Sequence, residues 1–249
     1  MGETTDKSFD NFWSNKDVLS YHTEQWKKPK QQTVEFSNFI SPVVKRNSKI
    51  IDLGCGAGAA TYFIAKNFAD SNFLGIDKDP NLIKIANDEI AHTSDVTNLR
   101  YRVGDFENLS NYSGVDGIIS LQTLSWLDGY EKMLEDVYVK LSPEWIAVTS
   151  LFYPGNISAK TDIIEHANAR TIHYNTYSIP EIEKFSRHFK YTLSDSINFE
   201  IDFDISPPKN KDRMGTFTSL MLNGESTKRI QFSGPLLMNW YFLLFRKIR

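Results

Sequence analysis

The chain has 249 residues, 41% of them hydrophobic and 24% charged, with a net charge of −3. That much apolar chain supports a sizeable core, in one large domain or a domain with appendages. The charge balance argues against a globally basic nucleic-acid binder, the lone Cys55 excludes an internal disulfide, and the polar start Met1–Asp6 argues against a secretory leader.

The N-terminal region is aromatic and helical in spacing. Phe9, Phe12 and Trp13 share one predicted face, as do Val18, Tyr21 and His22. Pro29 interrupts the pattern. A second helix over about 31–44 is expected to bury Phe36, Phe39, Ile40 and Val43. No strand pattern precedes Lys49. Residues 1–46 are therefore predicted to form a helical cap ahead of one domain, 47–249, with Trp13 and Tyr21 expected to serve helix packing, and closure over a ligand as the alternative.

From Lys49 the chain alternates strand and helix, the pattern of a parallel sheet with helices on both faces. Strands are expected at 49–53, 72–76, 99–103, 115–121 and 145–152. Helices are expected at 58–68, from Asp79-Pro80 onward, and at 130–141. Asp79 suits an N-cap and Pro80 the first helical position. Beyond Phe152 the alternation loosens into an insertion over about 153–180. Residues 157–171 read as a helix. Ser178 and Glu181 fit a capping box opening another. The alternation from Ile197 to Ile205 predicts a half-exposed strand, with Phe199, Ile201, Phe203 and Ile205 on one side. Asn223-Gly224 marks a hairpin within 214–233. The longest apolar run, Pro235 to Phe245, is shorter than the ~20 residues that span a bilayer. It predicts a strand buried on both faces.

The chemistry concentrates between Lys49 and Phe106. A β-branched run ends at Asp52, then Gly54-x-Gly56-x-Gly58-Ala59 leads into a helix. A strand, a glycine turn and a helix N-terminus make a nucleotide-type socket. Taken alone, the glycines fit a dinucleotide as well as a cationic cofactor. Asp52 next to the loop disfavours pyrophosphate and favours a cation. Asp77, closing the second strand, can accept from a ribose diol. Asp105 and Phe106 after the third strand can hold an adenine amino group and ring face.

These motifs, in this order, resemble those of the class I S-adenosylmethionine-dependent methyltransferases, over roughly Lys49 to Phe152. The resemblance implies a Rossmann-like α/β fold: a seven-stranded, mostly parallel sheet with an antiparallel last strand, supplied near Met238–Phe245. It implies that Asp52, Gly54, Cys55, Gly56 and Gly58 surround the methionine end of S-adenosylmethionine. Asp77 and Lys78 would lie at the ribose, Asp105 and Phe106 at the adenine, and Gln122 beside the cofactor; the product would be S-adenosylhomocysteine. Residues 120–126 lack the Asn/Asp-Pro-Pro-aromatic motif of amino-methylating DNA and glutamine enzymes. That leaves the small-molecule branch, with methyl transfer to an O, N or C atom.

His166, four residues from Asp162 on the expected helix, is the candidate base, with His173 as another. Trp126, Tyr153, Tyr174 and Tyr177 are candidates for the acceptor pocket. No metal site is expected, since close-set histidine pairs and a cysteine cluster are both missing from the sequence. The expected partner is a small molecule in the cytoplasm, without nucleic acid or a membrane span, and a homodimer stays open. Three other readings remain at this point: an NAD-dependent oxidoreductase, a non-catalytic methyltransferase-like binding protein, and a methyltransferase with a macromolecular acceptor such as RNA, which the absence of a basic face disfavours.

Overall fold

A run such as Trp145–Tyr153 is apolar on both alternating sets of positions, so it needs cover on both faces. The computed structural model supplies that cover. It describes residues 24–166, 170–209, 214–224 and 226–248. The predicted N-terminal helical face of Phe9, Phe12, Trp13, Val18, Tyr21 and His22 lies outside the described residues.

Five parallel strands come first: β1 (Lys49–Leu53), β2 (Asn72–Asp77), β3 (Leu99–Val103), β4 (Gly117–Leu121) and β5 (Trp145–Tyr153). Three short strands, β6 (Asp162–Glu165), β7 (Arg170–His173) and β8 (Tyr177–Ser178), and the long β9 (Tyr191–Phe199) follow. Then come β10 (Thr216–Asn223), β11 (Ser226–Ser233), β12 (Leu236–Leu237) and β13 (Trp240–Lys247). The main sheet runs β3-β2-β1-β4-β5-β13-β9, with β8 adding a short pairing to β5. It thus has the seven expected strands plus one extra two-residue strand. β13 is antiparallel to both neighbours, with Phe242 opposite Thr149 on one side and Ile197 on the other.

Among the described residues, the helices that flank the sheet are α1 (Gln31–Ile40), α2 (Ala59–Asn67), α3 (Pro80–Ala91), α4 (Glu131–Asp136) and α5 (Ile179–His188). α4 continues as a wide π turn over Val137–Leu141. Alternation along the strands feeds two cores. Ile50, Ala147, Leu151, Phe242 and Leu244 pack with Phe36, Ile40, Ile64 and Ile83 of α1–α3. Ile51, Ile146, Val148, Leu243 and Phe245 pack with Met133, Leu134 and Ile182 of α4 and α5. The caps follow the sequence: Asp79 accepts from Asn81 N at 2.8 Å and Ser178 from Glu181 N at 3.3 Å.

Gly117 sits opposite Trp145 in the β4–β5 register. A Cβ there would lie 2.1 Å from Trp145 Cζ2. Gly117→Ala is expected to destabilise the fold by about 2–3 kcal/mol, near the top of the overpacking range, as read by urea unfolding. A loss under 0.5 kcal/mol would show that Trp145 has room to move.

Two expected elements are corrected. The helix expected over 157–171 gives way, in its described residues, to a strand pair: β6 and β7 run antiparallel, Ile163 opposite Ile172. The strand expected over 197–205 ends at Phe199, and Phe203 is 51% exposed. β9 starts earlier because β13 offers it a partner along its whole length. Past Phe199 the edge turns toward the β10–β11 hairpin, where Ile201 N donates to Gln231 Oε1 at 3.3 Å. That hairpin forms as expected, with Asn223 opposite Ser226.

Candidate functional site

The strand order reverses between β1 and β4, so their carboxyl ends open the crevice where α/β sheets bind ligands. β1 ends there and the glycine loop begins. Gly54, Gly56 and Gly58 have φ of 78°, 55° and 84°, a region that L side chains rarely adopt. The turn is tied to β2: Gly54 N and Cys55 N both donate to Ile76 O, at 2.8 and 3.1 Å.

Three neighbours close around the loop, none of them singled out by the sequence reading. Tyr101 of β3 lies beneath it and donates from its hydroxyl to Gly58 O at 2.7 Å. Thr123 presses on Gly54, where a Cβ would come within 2.3 Å of its Oγ1. Trp26 donates from Nε1 to Ala57 O at 2.8 Å and packs on Tyr62, with ring centroids 4.8 Å apart. Gly56 alone has nothing within 4 Å of its Cβ position, so open space lies in front of it. Gly58→Ala meets both a positive φ and the Tyr101 ring at 2.6 Å. It is expected to cost about 3 kcal/mol in urea unfolding, combining left-handed strain with overpacking.

Asp52 is 1% exposed. Its Oδ2 accepts from Thr61 Oγ1 at 2.6 Å, while Oδ1 has no hydrogen-bond partner among the described residues. Burial pushes its pKa up to about 7; the Thr61 hydrogen bond opposes this and Asp77 adds to it. A buried carboxylate with one orphaned oxygen suits a cation brought by a ligand.

Asp77 takes two roles. Its Oδ2 accepts from Gly56 N at 2.8 Å and its Oδ1 from Asp79 N at 3.0 Å. Burial raises its pKa, and these two backbone bonds oppose the rise. A carboxylate has about four lone-pair directions, so room remains for a diol. Lys78, next to it, is exposed. Asp105 is exposed and accepts from Phe106 N at 2.6 Å, while Phe106 packs half-buried against the second core. The Cys55 thiol is raised well above its ordinary value, first by burial and then by Asp52 and Asp77. It is a poor nucleophile.

Across the crevice, Gln122 follows β4 with φ 61°. Its N donates to Thr149 O at 2.7 Å, and its side-chain Nε2 donates to Gln32 Oε1. Gln32, buried on α1, donates to Thr149 Oγ1 at 3.3 Å. Gln32 escaped the sequence reading because nothing local marks a helix glutamine as part of a site.

The acceptor candidates divide. Trp126 and Tyr174 meet, with ring centroids 4.9 Å apart, and Tyr153 is 43% exposed beyond β5. Tyr177 is corrected: it is buried and its hydroxyl donates to Leu127 O at 2.8 Å. The helix expected to carry both Asp162 and His166 is corrected too: Asp162 opens β6, and His166 lies exposed in a 3-10 turn just after it. Asp162 pairs instead with His173, Oδ1 to Nδ1 at 2.7 Å. Among the described residues, no group of three or more His, Cys, Asp or Glu could hold a metal ion. Among them, too, no helix is long and apolar enough to cross a membrane.

The family model for a methyltransferase domain matches residues 44–198. The chain belongs to the class I methyltransferase family. The match spans β1 to β9 and includes every cofactor candidate above. Among methyltransferase relatives, a malonyl-[acyl-carrier protein] O-methyltransferase of Bacillus cereus is 31% identical over 104 residues, covering 42% of this chain and 37% of that protein. A trans-aconitate 2-methyltransferase of Deinococcus radiodurans is 29% identical over 96 residues, covering 39% and 34%. The chain thus spans little more than a third of these relatives' own length. The YcgJ protein of Bacillus subtilis shares the methyltransferase fold at a TM-score of 0.58 and 13% identity, covering 88% of this chain and 99% of that one. Nothing in these likenesses supports the oxidoreductase reading.

Proposed function

We propose that this protein transfers a methyl group from S-adenosylmethionine to an O, N or C atom of a small-molecule acceptor. The observation that carries the reading is Asp52. A buried carboxylate with an orphaned oxygen lies against the glycine turn, where an ammonium or sulfonium would complete it. The residues fit the cofactor in three further respects. Gly56 leaves open space for its chain, Asp77 retains capacity for ribose hydroxyls, and Asp105 with Phe106 can receive adenine. The matched relatives carry methyltransferase names, two of them for small acids or thioester-bound acids.

When bound, the cofactor supplies an electrophilic methyl group. The chain supplies alignment and a site with restricted water. Asp52 balances positive charge at the methionine end. Asp77 holds the ribose and the loop together, so that loop geometry and cofactor position are set by one carboxylate. Thr123 and Tyr101 fix the loop from two sides. Trp126, Tyr153 and Tyr174 offer apolar walls where charge disperses during transfer. The proposed division keeps 1–46 as a cap, 47–249 as the catalytic unit and 153–180 as the part that shapes the acceptor side.

Calorimetric titration with S-adenosylmethionine, S-adenosylhomocysteine and NAD tests the reading. Binding of the first two without NAD is expected. Binding of NAD alone would overturn it.

A further inference from the structure

We propose that the acceptor presents a carboxylate as its nucleophile, and that Gln122 orients it while Gln32 fixes the Gln122 amide. The proposal rests on the methyl-transfer reading above and names the acceptor class for that site.

Position comes first. Thr123 touches Gly54 of the cofactor loop, so the residue before it stands beside the cofactor's methionine end, at the mouth of β4. That residue is Gln122, and it holds a left-handed backbone at φ 61°. Such a conformation is unfavourable for a glutamine and persists where surrounding structure imposes it, commonly at sites of function.

Orientation comes next. A primary amide has two N–H donors and one carbonyl acceptor. Gln122 spends one N–H on Gln32 Oε1, and Gln32 spends one of its own on Thr149 Oγ1. Thr149 is fully buried within β5 and Gln32 is buried on α1, so the row is anchored at its far end. Gln122 is half-buried and ends the row on the open side. Its amide therefore meets a ligand with a fixed face and a remaining N–H.

The chemistry selects the ligand. A hydroxyl acceptor needs its proton removed, whereas a carboxylate is ionised at neutral pH and needs no base. Of the two candidate bases, His173 is paired with Asp162 and His166 lies exposed after β6. A neutral amide N–H positions one carboxylate oxygen without neutralising the group, as an ion pair with Lys or Arg would. The other oxygen then uses a lone pair to form the O–CH3 bond as the methyl–sulfur bond breaks. The electron pair of the broken bond goes to sulfur, a neutral methyl ester and a neutral thioether result, and no proton moves.

The test uses the full chain saturated with S-adenosylhomocysteine and three matched probe pairs: benzoate with benzyl alcohol, hexanoate with 1-hexanol, and succinate with 1,4-butanediol. Calorimetry reads affinity and scanning fluorimetry reads folding. At least one carboxylate is expected to bind tenfold or more tightly than its alcohol. Gln122→Glu, measured with S-adenosylhomocysteine raised to saturate the variant, is expected to weaken that carboxylate by about 100-fold through like-charge repulsion. Gln122→Gly suits the positive φ, so it is expected to keep or raise the melting temperature while losing about tenfold in carboxylate affinity. Gln32→Leu is expected to lose carboxylate affinity by a similar factor through the released Gln122 amide, with the melting temperature read alongside to separate this from a loss of folding. Alcohols binding as well as their carboxylates, no carboxylate binding at all, or unchanged carboxylate affinity in Gln122→Glu would each overturn the proposal. Failure of S-adenosylhomocysteine to bind the unaltered protein is a different result: it removes the methyl-transfer reading, and this proposal with it.

Discussion

Replacing Asp52 with Asn is expected to stabilise the ligand-free protein at pH 8 relative to pH 5, and to weaken S-adenosylmethionine binding at both. Asp52 is buried and its pKa lies at about 7, against an ordinary 3.8. The proton-bound form is the one the fold prefers. Its stabilising contribution is complete below about pH 3.8, where folded and unfolded chains both carry the proton. Between 3.8 and 7 the unfolded chain ionises first, so stability falls as pH rises; above 7 the loss is complete. A shift of about three units corresponds to about 4 kcal/mol, taken as an upper bound.

Asn carries no charge and escapes this loss. Its carbonyl can accept from Thr61, but its amide N–H then occupies the place of the orphaned Oδ1, at a cost of about 1–3 kcal/mol. At pH 5 that cost dominates; by pH 8 the relieved charge offsets it. Denaturant unfolding of both proteins at pH 5, 6, 7 and 8 measures the difference. A stability difference that stays flat across that range would mean that Asp52 does not titrate there. Ligand binding supplies the complementary signal. A cation favours ionised Asp52, so wild-type affinity for S-adenosylmethionine is expected to climb with pH up to about 7, while the Asn variant binds about tenfold or more weakly at pH 8 and shows no such climb.

Asp52 also shows what the sequence made legible. Strand and helix alternate in plain order from Lys49 to Phe152, because the central strands are buried on both faces, the edge strand β3 on one, and each helix on one. The cofactor side of the site is read from that order, since the carboxylates fall at strand ends by spacing alone. The apolar run before the C-terminus was equally legible as a doubly covered strand, and β13 fills the gap between β5 and β9.

The illegible parts depend on partners distant in sequence. Residues 162–165 have consecutive isoleucines that suit a helix face or a strand. What decides is β7, together with Asn175, whose Oδ1 accepts from Thr161 N at 3.0 Å. Tyr177 looked like a loop aromatic, but Leu127 O captures its hydroxyl. Tyr101 reads as an ordinary strand tyrosine, and only the fold brings it under Gly58 across 43 residues. Gln32 and Gln122 are 90 residues apart, and their pairing follows from the packing of α1 across the mouths of β4 and β5. Local pattern specifies the cofactor cradle; tertiary packing specifies the acceptor wall.

Asp77→Ala tests the cradle most directly. The side chain accepts from Gly56 N inside the glycine loop and from Asp79 N at the start of α3, so one carboxylate joins the loop to the β2 exit. Truncation removes both charge-assisted bonds and leaves Gly56 N without its acceptor. In the proposed complex it also removes the ribose contact. Hydrogen bonds to a charged group are worth about 1.5–3 kcal/mol each, so the expected loss in S-adenosylmethionine affinity is about 100- to 1,000-fold. Calorimetric titration measures it, and hydrogen exchange at residues 54–58 is expected to quicken in the ligand-free variant. Asp77→Asn is the informative companion. Its amide oxygen can keep one backbone bond, so the loop is expected to hold better than in the alanine variant while diol binding still suffers. Affinity in Asp77→Ala within threefold of wild type would show that the ribose is held elsewhere. Faster exchange with unchanged affinity would confine Asp77 to shaping the loop.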